Sequence, residues 1–232
     1  MARLIFPITL PMPKKNETKQ LWRKAVKQAM RSATEQEVIR KYGSLNASFN
    51  YRWEHVKAVV AVAKKLATLT GADKEIVTAA AWLHDVRKEA GDDHPLEGAK
   101  FARKFLRQTD FPPEKIEQVA QAIADHMGLW RDEPLTNLES QVLWDADKLA
   151  KIGLTAVFHW TGGSLAGDKM RTVEELIKNG RSADWQAKTV ASMHTAPARQ
   201  AAQARFEAYN WLWHQLEKEL NGDDLELVGS DQ

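Results

Sequence analysis

An all-α helical bundle is the fold this sequence predicts. Three observations carry it: apolar residues recur at spacings of three and four along most of the chain, strand signals are scarce, and Gly, Pro, Asn and Asp punctuate the periodic stretches. The spacing predicts helices over 17–31, 34–42, 51–70, 73–88, 95–108, 113–127, 137–160, 172–180, 183–193 and 196–221. In the first, Leu21, Trp22, Ala25, Val26, Ala29 and Met30 form one stripe, while Lys19, Arg23, Lys24, Lys27 and Arg31 fall largely elsewhere. This basic stretch, Lys14 to Arg31, reads as an amphipathic helix docked by its apolar face. Asp73 and Pro95 open helices, Asn137 reads as an N-cap with Ser140 in the first turn, and Gly71, Gly128 and Gly222 close helices. Gly153 is a candidate break in the 137–160 segment.

At 232 residues and 26.2 kDa, the chain has enough length for one fairly large domain with an extensive core. The expected layout is an N-terminal extension over 1–49 whose basic helix packs on the domain, a domain over 50–221, and an acidic flexible tail over 222–232. There is no cysteine, so disulfides and thiolate-held zinc are excluded and any metal must be bound by imidazole and carboxylate. A hydrophobic share of 44% with 28% charged residues is that of a globular protein, not a disordered one. The longest apolar run, Ile76 to Leu83, is interrupted by Thr78 and too short to cross a bilayer, and the opening stretch carries three prolines and one early basic residue, unlike a secretory signal. The expectation is a soluble cytoplasmic protein without a membrane partner. The net charge of +2 says little about partners, because the basic N-terminal helix and the acidic C-terminus offset each other.

The most informative segment is Ile76 to Val86, an almost wholly apolar helix ending in His84 and Asp85. Burying that pair would cost several kcal/mol without compensation, on the order of the penalty for an unpaired buried charge. A divalent cation compensates both, since it takes a carboxylate oxygen and a neutral imidazole nitrogen together. Other helices also aim such residues inward. His55 lies on the stripe of Val56, Val59, Val60, Ala63 and Leu66; His126 follows Val119 and Ile123; Asp147 follows Leu143 and precedes Ala150. Singly, each has a bland reading, a lone inward histidine being more often a satisfied core residue than a ligand, and their co-occurrence in a cysteine-free chain is what points to a metal.

The order His55, His84-Asp85, Asp147, the last within Trp144-Asp145-Ala146-Asp147-Lys148-Leu149, resembles the H…HD…D pattern of the HD superfamily of metal-dependent phosphohydrolases. The resemblance covers roughly residues 50 to 220, is closest to small stand-alone members, and includes the turn Met193-His194-Thr195-Ala196 before a final long helix. It implies an HD-domain helical bundle whose metal ligands are His55, His84, Asp85 and Asp147, with Asp145 just behind them. His94 in His94-Pro95-Leu96-Glu97-Gly98-Ala99 and His126 in Ala124-Asp125-His126 are similar to the further motifs of relatives with two metals, although a paired His-His is replaced here by Asp125-His126. The cofactor expected is therefore one or two divalent ions, with Mn, Fe, Ni, Mg and Zn all open.

The activity implied is hydrolysis of a phosphomonoester or phosphodiester, with a nucleotide or related small phosphorylated metabolite as substrate. Asp85 would orient the attacking water as well as bind metal, and Lys57, Lys88 and Lys148, along with Arg87, adjoin the ligands as candidate phosphate contacts. Two other readings stay open. One is a metal-containing module that senses a nucleotide without turnover; the other is a nucleic-acid-associated protein using the basic helix, which is not favoured. Thr161 to Gly167 lacks the Gly-Lys-Ser/Thr ending of a phosphate loop and reads as a linker or a lid. His159, His194 and His214 have no partner pattern, and nothing bears on oligomeric state.

Overall fold

The computed structural model describes residues 20–46, 49–165, 172–182 and 185–225. Its first helix, α1 (Trp22–Tyr42), is one continuous element where two short ones were expected. No break falls between 31 and 34: the Thr34 hydroxyl donates back to the Arg31 carbonyl at 2.8 Å, so the polar group is satisfied inside the helix. The start moves to Trp22 because Gln20 pairs as an isolated bridge with Thr109 and the Trp22 N–H donates to Asp110 Oδ1 at 2.6 Å. Residues 14–19 of the basic stretch lie outside the described residues. The apolar stripe of α1 packs on α3, and Arg23, Lys24, Lys27 and Arg31 are exposed.

Helix α2 (Tyr51–Thr70) is capped by Asn50, whose side chain accepts from the Trp53 N–H, and ends at Gly71 in the left-handed region. Asp73 caps α3 (Lys74–Leu83) by accepting from two first-turn N–H groups. The expected helix over 73–88 stops at Leu83, because Val86 and Lys88 bond three residues back, to Leu83 and Asp85, and the chain tightens into turns. A 3₁₀ segment leads into α4 (His94–Leu106) with Pro95 in its first turn, and another, Pro113–Lys115, into α5 (Ile116–Asp125).

Asn137 caps α6 (Leu138–Leu149) by accepting from the Ser140 N–H. The expected 137–160 helix is two, since α7 (Leu154–Leu165) restarts after Gly153 at φ +81°. Gly153 also lies against Arg205, where a Cβ would sit 2.7 Å from the side chain. There follow α8 (Val173–Arg181), opened by a Thr172/Glu175 capping box, α9 (Trp185–Ala191) and α10 (Ala196–Asn221). Of the expected tail, Glu226 to Gln232 lie outside the described residues.

Among the described residues there is no named strand, and the architecture is the all-α helical bundle expected. Helices α2, α3, α5 and α6 pack on one another around a single core, with α1 and α4 laid outside α3 and α5. A second apolar cluster, Val157, Ile177, Tyr209 and Trp213, joins α7, α8 and α10. No helix among the described residues is long and apolar enough to cross a membrane.

Candidate metal centre

Five helices, α2 to α6, converge polar residues on one point. α2 supplies His55, the end of α3 supplies His84, the turn after it Asp85, the start of α4 His94, the end of α5 His126, and α6 Asp147 with Lys148. Not one of these seven is more than 3% exposed. The cost of such burial is large unless the groups compensate one another or hold an ion.

Two neighbouring ligand groups result. His55, His84 and Asp147 form one, and Asp85, His94 and His126 the other. In the first, His55 Nε2 is 3.0 Å and His84 Nε2 3.8 Å from Asp147 Oδ1. In the second, Asp85 Oδ1 is 3.3 Å from His94 Nε2 and 3.7 Å from His126 Nε2. The other Asp85 oxygen, Oδ2, lies 3.5 Å from His84 Nε2 and 4.0 Å from His55 Nε2. The Asp85 carboxylate thus stands between the groups with one oxygen toward each.

The histidines are oriented for ligation. Nδ1 of His84, His94 and His126 each lies against the carbonyl three residues before it, Ala81 at 2.9 Å, Gly91 at 2.6 Å and Ile123 at 2.5 Å. Donation from Nδ1 leaves the Nε2 lone pairs facing the centre. His94 Nε2 and His126 Nε2 are then 3.1 Å apart, two lone pairs turned on each other. Both His55 ring nitrogens, His84 Nε2 and Asp147 Oδ1 are buried without a hydrogen bond of acceptable geometry. Cysteine-free imidazole and carboxylate donors, buried and convergent, with several ring nitrogens unpartnered, fit divalent cations.

The electrostatics agree. Burial lowers the His55 and His126 pKa values, only partly offset by Asp147 and Asp85 respectively, and pushes His84 down to about 3, so these rings are neutral ligands at pH 7. Burial would raise Asp85, but Arg52 and His84 hold it well below the usual carboxylate range; Lys148 and Lys151 do the same for Asp147.

Of the cations expected here, Lys88 and Lys148 arrive. Lys88 Nζ is 3.0 Å from His94 Nε2 and 3.4 Å from Asp85 Oδ1. Lys148 pairs with Asp147, donates to the His126 carbonyl at 2.9 Å, and is lowered by burial to about 8. Lys57 does not: two residues from His55 on a helix is about 200° around the axis, and its exposed amine pairs with Glu54 at 2.7 Å. Arg87 also stays outside, on Glu89 at 3.0 Å. Asp145 faces away from the cluster, accepting from the His194 and Thr195 N–H groups and the Thr195 hydroxyl, each at 2.8 Å.

Sequence reasoning missed Arg52, Lys151 and Tyr51. Arg52 Nη1 is 2.5 Å from Asp85 Oδ2, Lys151 Nζ is 2.8 Å from Asp147, and the Tyr51 ring lies parallel to His55 with centroids 6.0 Å apart. Spacing could have found them, since they stand three before, four after and four before ligands. Of the Thr161–Gly167 stretch, Gly162 and Gly163 belong to the last turns of α7 and not to a phosphate loop; a Cβ there would press on Phe49 at 3.1 Å and contact Tyr51 at 3.5 Å. Ala166 and Gly167 lie outside the described residues.

Comparison with known proteins matches residues 52–152 to the HD domain. A predicted HD superfamily hydrolase from an uncultured Thermotogales bacterium is 22% identical, with 86% of this chain and 91% of that one covered at a TM-score of 0.57. Bacillus subtilis YpgQ is 22% identical over 87% and 98% of the two chains, TM-score 0.60. Its complex with ADP gives 21%, 84% and 98%, with a TM-score of 0.57. These likenesses establish a shared fold.

Proposed function

Because residues 52–152 are an HD domain, we propose that this chain is a metal-dependent phosphohydrolase acting on a phosphorylated nucleotide or related metabolite. The observation that carries the reading is the convergence of buried imidazole nitrogens and carboxylate oxygens at one point, those of His55 and His84 Nε2 without a hydrogen bond, ringed by Arg52, Lys88, Lys148 and Lys151. His55, His84, Asp147 and Asp85 Oδ2 would hold one ion, and Asp85 Oδ1, His94 and His126 a second. Four imidazoles and two carboxylates favour a first-row transition ion over Mg²⁺. Bound there, a divalent ion lowers the pKa of its water and polarises a phosphoryl oxygen.

The chain's own groups do the rest. Arg52 and Lys151 contact Asp85 and Asp147 from the outer side and are placed to exchange part of that pairing for phosphate oxygens. Lys88, at the mouth, offers a third charge. Asp85, kept ionised, would accept a hydrogen bond from the attacking water and so orient it. The nucleotide as substrate draws on the ADP complex of YpgQ.

The test is hydrolysis by protein loaded separately with Mn²⁺, Ni²⁺, Zn²⁺ or Mg²⁺, against nucleoside mono-, di- and triphosphates and bis(p-nitrophenyl) phosphate. Asp147→Asn should lose metal and at least ~100-fold of turnover, since even displacing a ligand's outer partner costs 10–100-fold. Undiminished turnover in Asp147→Asn, or in excess chelator, would overturn the reading.

A further inference from the structure

Beside the metal centre lies a cavity of about 550 Å³ walled by α7, α8, α9 and α10. Its volume is that of a small-molecule site. Tyr51 and Lys151 belong to both: the Tyr51 ring stacks on His55, and the Lys151 amine sits on Asp147. A ligand with its phosphate at the cations would lay its remaining part in this cavity.

The walls are aromatic. Trp160, Trp185, Tyr209 and His159 line it with Tyr51, and His159 meets Tyr51 edge-on at 6.2 Å. Such faces receive a flat ring. They are also fixed in place, for the Tyr209 hydroxyl donates to the Gly180 carbonyl at 3.0 Å and Gly180 has no room for a Cβ beside Trp213.

One wall residue is out of balance. Gln186 is 2% exposed, lines the cavity, and its Oε1 has no hydrogen-bond partner. The Tyr209 hydroxyl donates to the Gly180 carbonyl, so it offers no proton to the Gln186 side chain beside it. Oε1 is left as a buried acceptor with nothing to accept. A group kept so is satisfied by a ligand donor. His159 Nδ1, buried and equally unpartnered, is a second polar point on the same cavity.

We propose that this cavity binds the base of the substrate and that Gln186 Oε1 reads an N–H on the base edge. The inference rests on the nucleotide reading above and adds what that reading lacks: a location for the base and the residue that selects it. A flat heteroaromatic ring with an N–H donor fits; the same ring with that nitrogen fully methylated leaves Oε1 unpaired and brings a methyl group against it. A pocket that hydrogen-bonds its ligand rejects the analogue lacking the donor more strongly than an apolar pocket rejects a size change.

The experiment uses the full chain, without added metal, and adenosine and N⁶,N⁶-dimethyladenosine as probes. Binding is followed by saturation-transfer NMR and by quenching of tryptophan fluorescence. Adenosine should bind at least about tenfold more tightly than its dimethyl analogue, the range of one buried hydrogen bond left unmade. Gln186→Met, close in volume, should abolish that preference while the far-ultraviolet circular dichroism and melting temperature stay near wild type. Equal affinity for the two nucleosides in the wild type, no binding of either, or a preference that survives in a folded Gln186→Met would each overturn the assignment. The wild-type comparison needs no variant. Phosphoester hydrolysis without nucleoside discrimination would sink the base site alone, and discrimination without hydrolysis by any metal-loaded form would sink the phosphohydrolase reading alone.

Discussion

Replacing His126 by alanine isolates the second ligand group. In the metal-free protein the change removes the contact between His126 Nδ1 and the Ile123 carbonyl, worth about 1 kcal/mol, and leaves a small cavity. It also removes the unfavourable approach of His94 and His126 Nε2 at 3.1 Å. The net effect on the chelated protein should therefore be modest. With metal the balance changes, because an ion that binds only the folded chain stabilises it by about 2.7 kcal/mol at one hundred times its dissociation constant. A domain of this size shifts its melting temperature by roughly 2–4 °C per kcal/mol. Losing one of two sites should cost on the order of 5–10 °C of the metal-induced rise. Mass-spectrometric metal content should fall from two ions per chain to one, the remaining ion held by His55, His84, Asp147 and Asp85. The assay pairs that count with melting curves in chelator and in saturating Mn²⁺. One ion per chain in the wild type, or a metal-induced shift unchanged by the substitution, would refute the two-ion reasoning.

Two further outcomes follow from the same geometry. Lys151→Ala should retain full metal content yet lose roughly 10- to 100-fold in kcat/KM, the worth of a charge-assisted hydrogen bond; steady-state kinetics beside metal analysis checks it, and unchanged kcat/KM would remove Lys151 from the phosphate site. In chelator, stability should fall as pH drops below 6.5 toward about 3. Burial depresses the folded-state pKa of His55, His84 and His126, so in that window the unfolded chain binds more protons. The slope is about 1.4 kcal/mol per pH unit for each histidine within its window, and Asp85 and Asp147, held well below 3.8, add their loss at more acid pH. Urea midpoints at pH 7, 5.5 and 4.5 measure it; a flat profile contradicts the neutral-histidine cluster.

What the sequence makes legible is whatever one helix can express by itself. His55, His126 and Asp147 are found because each shares a stripe with aliphatic neighbours, and His84 and Asp85 because a helix with so few polar faces has nowhere wet to put them. Lys57 misleads because adjacency in sequence is not adjacency on a helix surface, while Arg52 and Lys151, at the right spacing, are overlooked because charged residues at helix ends usually face water. The break at Gly153 is visible; the absence of one near Ser32 is not, because a threonine that bonds inward looks the same as one that caps. The aromatic cavity has no local signature at all. Its walls come from Tyr51 and from residues between Leu129 and Tyr209, and only the folded chain puts Gln186 beside Tyr209.

Asp145 and Asp147 sit two residues apart on α6 and point in opposite directions, one tied to the cap of α10, the other to the metal centre. Near its end α6 is joined to α10 again, through the Leu149 carbonyl and Arg205. The helix that presents Asp147 thus also sets where the Tyr209 wall stands. It works as a ruler, fixing the separation between the ion ligands and the far end of the cavity to a length built into one rigid rod. A sequence change in the α6–α10 fastening, remote from every ligand, would recalibrate which molecules span that gap while leaving the ion ligands themselves untouched.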